Sequence, residues 1–171
     1  MQYTLGVDYY PEHWDKKRWE VDAKLMQQAN ITVIRIAEFS WSILESNEGS
    51  YDFSFIEDTI RIFKKYGIKI VLGTPSATPP KWMVGKYPEI LQDDRFGNPR
   101  LFGSRRHYCY NSMIYKEKCR LIVEQLAQKF GKDENVIAWQ IDNEFGCQDT
   151  AFWALAQRVL TWQYMYNRIY Y

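Results

Sequence analysis

Cysteine and histidine are both scarce in this sequence. The three cysteines, Cys109, Cys119 and Cys147, are an odd number, widely spaced, and form no CxxC pair. This usage argues against a disulfide framework and favours a reducing compartment. The two histidines, His13 and His107, are far apart and show no metal-ligand spacing, which favours structural or loop roles for them.

The sequence also has no excess of charge and no long apolar run. Lys plus Arg number 22 against 21 Asp plus Glu, which leaves a net charge of +1 and no electrostatic reason to expect nucleic acid or an anionic membrane as a partner. No apolar run approaches the roughly 20 residues that span a bilayer. The first residues lack the basic and apolar regions of a signal peptide, so we expect a cytoplasmic protein.

Aromatic residues are abundant instead, at 17% with seven Trp and thirteen Tyr. Flat rings can stack on sugars or bases, but they also fill cores, so composition alone leaves the function open. Three tryptophans follow predicted strands and could stack on a pyranose ring, with core filling as the alternative for each: Trp14, Trp41 and Trp82.

Apolar strand-like runs alternate with helix-like stretches along the chain. The predicted strands are residues 3–7, 31–36, 68–72 and 136–141. Helical spacing of apolar residues predicts helices between them, with Asn30 and Gly67 as stop signals and Ser112 as an N-cap. This order predicts an α/β fold with parallel strands and right-handed crossovers.

Polar and aromatic residues collect just after each predicted strand, at 8–10, 38–41, 74–82 and 143–144. Parallel α/β folds place their sites at the C-terminal ends of strands. The insertion at 74–111 is longer than a plain connection, which is typical of functional loops, and we interpret it as facing a substrate.

Asn143 and Glu144 are the sharpest candidate pair, because an apolar strand delivers them together at its C-terminal end. A Glu in an aromatic-walled, partly dry site has a raised pKa, as a general acid requires. An Asn beside it can bond a sugar hydroxyl as donor or acceptor. The alternative is a helix N-terminal carboxylate or a surface turn.

Arg35 lies inside an apolar strand and has two compatible interpretations. One is a buried ion pair with Asp8 or Glu38, and the other is a fixed donor fork for substrate hydroxyls and for orienting the catalytic carboxylate. Glu38 is equally consistent with a second site carboxylate and with a partner for Arg35.

Five segments, in order, resemble the N-terminal part of family 42 glycoside hydrolases. They are YYPEHW at 9–14, RIAEFSW at 35–41, GTPSATPPKW at 73–82, RRHYCYNS at 105–112 and WQIDNEFG at 139–146. Family members are bacterial β-galactosidases with a (β/α)8 TIM-barrel catalytic domain. The resemblance, over residues 1–150, implies that Glu144 is the acid/base of a retaining mechanism. It also implies that Arg35 and Asn143 bind the galactosyl unit of a β-galactoside or of galactose.

The resemblance also implies one ligand of a structural zinc site, but this sequence lacks the rest of that ligand set. Cys109 matches a cysteine that binds a structural zinc in some members, whose other thiolates follow the acid/base. Here Trp153, Leu155 and Arg158 occupy that stretch, with only Cys147 nearby. A pair of thiolates is a poor tetrahedral site, so we expect no cofactor and no stoichiometric zinc.

Length departs from the family as well, because a TIM barrel takes about 250 residues. We therefore expect residues 1–150 to be the first half of the barrel, about four βα units, in a truncated or split product. Residues 151–171 form an aromatic tail that departs from the family pattern. The family's nucleophile, a Glu on a much later strand, is absent.

Two functional classes are consistent with a chain of this length. The first is a β-galactosidase N-terminal part that is inactive alone. The alternative is a non-catalytic half-barrel that binds a sugar or a partner chain. Open sheet edges predict a homo-oligomer or a complementing C-terminal half. A small doubly wound domain is disfavoured, since the sequence has no GxGxxG and no P-loop.

Overall fold

A computed structural model describes residues 4–94, 96–103 and 106–144. The described strands are β1 (Gly6–Asp8), β2 (Val33–Ile36), β3 (Glu45–Asn47), β4 (Ser50–Tyr51), β5 (Lys69–Gly73) and β6 (Val136–Gln140). The helices are α1 (Lys16–Gln28), α2 (Trp41–Leu44), α3 (Ser54–Lys65), α4 (Lys81–Lys86) and α5 (Met113–Phe130). Single 3₁₀ turns occupy Pro11–His13, Pro75–Ala77 and Pro88–Ile90.

Four of the strands form one parallel sheet in the order β1-β2-β5-β6. One register row crosses the whole sheet, from Asp8 to Arg35, Val71 and Ala138. The predicted α/β class and parallel pairing are confirmed. The first strand lies slightly later than predicted, because its pairing with β2 extends through Asp8.

The core lies between this sheet and its helices. Alternate strand residues are fully buried: Ile34, Ile36, Ile70 and Leu72. They belong to a cluster with Ile56 and Phe63 of α3 and with Ile122 and Leu126 of α5. The intervening residues of β2 and β5, among them Arg35 and Val71, are only partly buried. In the part of the chain that the structure describes, no helix has the length and apolar character to cross a membrane.

The helix boundaries follow local signals in the sequence. Asn30 ends α1 in the left-handed region at φ 58°, and Gly67 follows α3 at φ 71°. Ser112 caps α5 by accepting a hydrogen bond from the Tyr115 amide at 3.3 Å. These predicted stop and cap residues are confirmed. Asn30 and Gly67 end their helices through left-handed φ angles, and Ser112 accepts from a backbone amide in the first turn of α5.

Tertiary contacts add elements that the sequence pattern did not predict. Glu45, which is buried, accepts hydrogen bonds from Trp41 Nε1 at 2.8 Å and from the Gly49 amide at 2.8 Å. Its carbonyl accepts one from Trp82 Nε1 at 2.7 Å. These contacts hold α2, the β3–β4 hairpin and α4 together. Trp41 is therefore a core residue, whereas Trp14 is 52% exposed.

The chain passes unusually close to itself between β2 and β5. A Cβ added to Gly73 would lie 2.6 Å from the Cβ and 2.7 Å from the Cα of Glu38. Ala37, immediately before Glu38, adopts φ 76°, a conformation that L-residues rarely take. The loop after β2 is thus pressed against the end of β5, and only glycine fits at position 73.

We expect Gly73→Ala to destabilise the protein by at least about 1–3 kcal/mol, because a methyl group is forced into backbone atoms that cannot move independently. Gly85→Ala is the matched control, since a Cβ at Gly85 within α4 meets nothing within 4 Å and should stabilise the helix by about 0.5–1 kcal/mol. Urea unfolding of both variants measures the difference. Equal stability of the two variants would contradict the close approach.

Candidate active site

The end of β2 carries a compact charged cluster. Arg35 Nη2 lies 2.7 Å from Asp8 Oδ2 on β1, and Arg35 Nε lies 3.1 Å from Glu38 Oε1. The Nε contact is an ion pair outside hydrogen-bond geometry. The Arg35 side chain is 29% exposed, the Asp8 side chain is 52% exposed and Glu38 is fully buried. Arg35 therefore bridges a buried and an accessible carboxylate.

Glu38 acts as the internal anchor of this cluster. Its Oε1 also accepts a hydrogen bond from the Tyr10 hydroxyl at 3.1 Å. Burial, followed by the negative charge of Glu38, raises the pKa of Tyr10. Of the two interpretations of Glu38, the structure supports the one in which Glu38 is the partner of Arg35. The Glu38 side chain is fully buried among the residues of this chain. Arg35 and Asp8 present the accessible part of the cluster.

The residues after β6 leave the sheet through a tight turn. Asp142 and Glu144 both adopt left-handed φ angles, 58° and 48°, on either side of Asn143. Gln140 Nε2 donates to the Asp142 carbonyl at 2.8 Å and to Asn143 Oδ1 at 3.1 Å. Arg106 Nη2 donates to the Asn143 carbonyl at 2.7 Å. The amide side chain of Asn143 is thereby oriented at the edge of the sheet.

Asp142 is the buried member of this turn. Its Oδ2 accepts a hydrogen bond from Ser76 Oγ at 2.8 Å, and its Oδ1 accepts one from the Asn143 amide at 2.6 Å. Its own amide donates to Thr74 Oγ1 at 2.7 Å. Burial raises the pKa of Asp142, while the Ser76 and Asn143 bonds and the Arg106 charge oppose the rise.

Glu144 lies at the exposed end of the turn. The described residues therefore do not form the dry aromatic surrounding that the sequence led us to expect for this carboxyl group. Asn143 and Glu144 follow β6 at the C-terminal edge of the sheet, and Arg35 lies near the same edge on β2. Because β5 lies between β2 and β6, these residues belong to strands whose backbones are roughly 10 Å apart.

The end of β5 joins the two groups. Gly73 is in contact range of Glu38, and the next residue, Thr74, accepts the hydrogen bond from Asp142. Arg35, Asn143 and Glu144 were predicted as site residues from the sequence, whereas Asp142 and its partners were not. Asp142 and these partners lie in two of the segments that carry the family resemblance, GTPSATPPKW and WQIDNEFG. That resemblance is the sequence feature that could have pointed to them.

Around Cys109, the described residues bring no set of metal ligands together. Cys109 and Cys119 are free thiols, and Cys119 is buried with a raised pKa caused by that burial. Residues 4–94, 96–103 and 106–144 contain no group of three or more His, Cys, Asp or Glu side chains that could hold a metal ion. The donor set in this part of the chain does not fit a tetrahedral zinc site. Cys147 lies outside the described residues.

A parallel sheet flanked by helices, with charged and polar side chains at the C-terminal ends of its strands, fits a partial α/β barrel. Residues 8–170 match the model of glycoside hydrolase family 42, which is described as beta-galactosidase. The chain belongs to this family. The resemblance drawn from the five sequence segments is therefore confirmed.

Relatives in this family are longer than this chain. A beta-galactosidase from Thermus thermophilus is 51% identical over 146 residues, 85% of this chain and 23% of the relative. Beta-galactosidase Bga from Halorubrum lacusprofundi is 46% identical over 146 residues, 85% of this chain and 21% of the relative. The chain thus spans about a quarter of the length of the relatives it matches.

Solved structures confirm the partial barrel. The crystal structure of the beta-galactosidase from the psychrophilic Marinomonas ef1 superposes with a TM-score of 0.82 at 46% identity, over 86% of this chain and 23% of that one. The division of the chain at residue 150 stays a prediction, since residues 145–171 lie outside the described residues.

Proposed function

We propose that this chain is the N-terminal half of a retaining glycoside hydrolase barrel that acts on terminal β-D-galactosides. The observation that carries the proposal is the turn after β6, which places Asn143 and Glu144 together at the sheet edge near which Arg35 of β2 lies. Family membership supplies the reaction class. The names of the relatives support a galactoside as the substrate.

In this proposal Glu144 is the acid/base. It protonates the glycosidic oxygen as the bond to the leaving group breaks, and it then deprotonates the water that releases the sugar. Asn143 and Arg35 hold the galactosyl hydroxyls. The oriented amide of Asn143 offers both a donor and an acceptor, and Arg35 offers donors in a fixed plane because Asp8 and Glu38 restrain it.

A retaining mechanism also needs a nucleophilic carboxylate about 5–5.5 Å from the acid/base. The carboxylates at the end of β1 and after β2, Asp8 and Glu38, both contact Arg35, and Glu38 is fully buried. Neither is available as a nucleophile, so we assign that role to a Glu on a later barrel strand that this chain does not carry. The chain alone is then inactive.

A second function is binding without turnover, because Asp8 and Glu38 both contact Arg35 and neither is placed as a nucleophile. A half-barrel with Arg35 and Asn143 in place could still bind galactose or a partner chain. The low cysteine content and the free thiols of Cys109 and Cys119 support a cytoplasmic location for either function.

Galactose binding tests the assigned sugar contacts. We expect Asn143→Ala to weaken galactose binding by about tenfold, because a bidentate amide contact is lost. Arg35→Ala should have a similar effect, and it is best combined with Glu38→Gln so that no buried carboxylate is left without its cation. Titration calorimetry measures the affinities, with the exposed Asn47→Ala as the matched control. Unchanged affinity in folded variants would remove both residues from the site.

Turnover tests the missing nucleophile. The purified chain should not hydrolyse nitrophenyl β-galactoside at a useful rate, because the covalent route requires a second carboxylate. Activity should appear when the C-terminal half of a related enzyme is added, and Glu144→Gln should abolish that activity. Robust turnover by the chain alone, lost in Asp8→Asn or Glu38→Gln, would show instead that the nucleophile lies within these residues.

Association tests the proposed partner. Among the described strands, β1 and β6 each pair on one side only, and unpaired parallel edges invite a further strand. We expect a homo-oligomer, or a complex with a complementing C-terminal half, measured by light scattering at micromolar concentration. A stable monomer that ignores an added C-terminal half would contradict the half-barrel assembly.

A further inference from the structure

We propose that Asp142 is a positioning residue, which fixes the direction in which Asn143 and Glu144 leave β6. The inference rests on the proposed function, because it concerns the same sugar site. Asp142 is 2% exposed and acts from beneath the turn. Its effect on a sugar is exerted through Asn143 and Glu144.

The contacts of Asp142 determine this role. One carboxylate oxygen is bonded to Ser76 Oγ and the other to the Asn143 amide, at 2.8 and 2.6 Å. The carboxylate therefore links the amide that begins the Asn143–Glu144 segment to the loop after β5. Thr74 Oγ1 holds the Asp142 amide at 2.7 Å, so the residue is fixed at both its backbone and its side chain.

Ser76 is itself held in place from the helix layer. Tyr115, a buried residue of α5, donates its hydroxyl hydrogen to the Ser76 carbonyl at 2.6 Å. The anchor of Asp142 is thus part of the packed core, not a mobile loop side chain. A rigid anchor is what a positioning role needs, because small displacements of a catalytic group cost large factors in rate and affinity.

The backbone conformation shows why the tether is needed. Asp142 and Glu144 both adopt left-handed φ angles, which L-residues rarely take. Asp tolerates this region because its short side chain can bond locally, as it does here to the Asn143 amide. Without the carboxylate, the turn loses the bonds that keep Asn143 aimed at the sheet edge.

Asp142→Gly is the informative variant, because glycine adopts φ 58° without strain but has no carboxylate. Asp142→Asn is the conservative variant, since its side-chain oxygen can still accept from the Asn143 amide and a hydroxyl can pair with its amide group. Asp22→Ala is the matched control, for it removes another buried carboxylate, bonded to Tyr9 and Arg18 on the helix side of the protein.

Two measurements on the 171-residue chain test the proposal: galactose affinity by calorimetry, and hydrogen exchange of the Asn143 amide. We expect Asp142→Gly to weaken galactose binding about tenfold and to lose protection at Asn143, while its thermal midpoint stays within a few degrees of the wild type. Asp142→Asn should restore most of both properties. Asp22→Ala should lower the midpoint and leave both properties unchanged.

The outcomes separate this inference from the proposed function. Wild-type affinity and protection in Asp142→Gly would overturn the positioning role, as would an equal loss of affinity in Asp22→Ala. If the wild-type chain binds no galactose, the proposed sugar site fails. The exchange measurement then tests the positioning role by itself. Loss of protection at the Asn143 amide in Asp142→Gly supports the role, and retained protection overturns it.

Discussion

The contact between the end of β5 and its two neighbours is the constraint on which the site depends. At Gly73 the chain leaves no room for a side chain, so the Glu38 backbone can lie directly against the sheet. One residue later, Thr74 holds the Asp142 amide. The last residue of β5 and the residue that follows it therefore set the positions of the charged cluster on one side and of the turn after β6 on the other.

Electrostatics on the two sides follow from this arrangement. On the β2 side, a fully buried carboxylate is tolerated because Arg35 lies within 3.1 Å of it, and the same guanidinium reaches the accessible Asp8. On the β6 side, a buried carboxylate is stabilised by neutral donors, the Ser76 hydroxyl and the Asn143 amide. The Arg35 cluster places charged groups at the strand ends, whereas the contacts of Asp142 fix the conformation of the turn after β6.

Much of the fold could be predicted from local sequence. The four parallel strands coincide with apolar runs, and Asn30, Gly67 and Ser112 mark helix ends through conformations or bonds that depend on a few neighbouring residues. Arg35 stood out because a charged residue within an apolar strand needs a partner. The sequence offered two carboxylates, Asp8 and Glu38, as partners of Arg35 without deciding between them. The structure shows that Arg35 contacts both.

What could not be predicted depends on residues far apart in the chain. Ser76 and Thr74 lie 66 and 68 positions before Asp142, so no local pattern indicates that their hydroxyls meet it. The β3–β4 hairpin likewise depends on Glu45 meeting Trp41 and the Gly49 amide around a turn.

The end of β5 also bears on how such a barrel can be redesigned. The loop after β1 meets the charged cluster through a side chain, the Tyr10 hydroxyl, which can be exchanged for another of matching size and polarity. Gly73 and Thr74 meet the rest of the site through backbone spacing and a single hydroxyl, and they serve both sides at once. Grafting a different loop at this point would alter two parts of the site together, so the β5 junction is the segment to retain when modules are recombined.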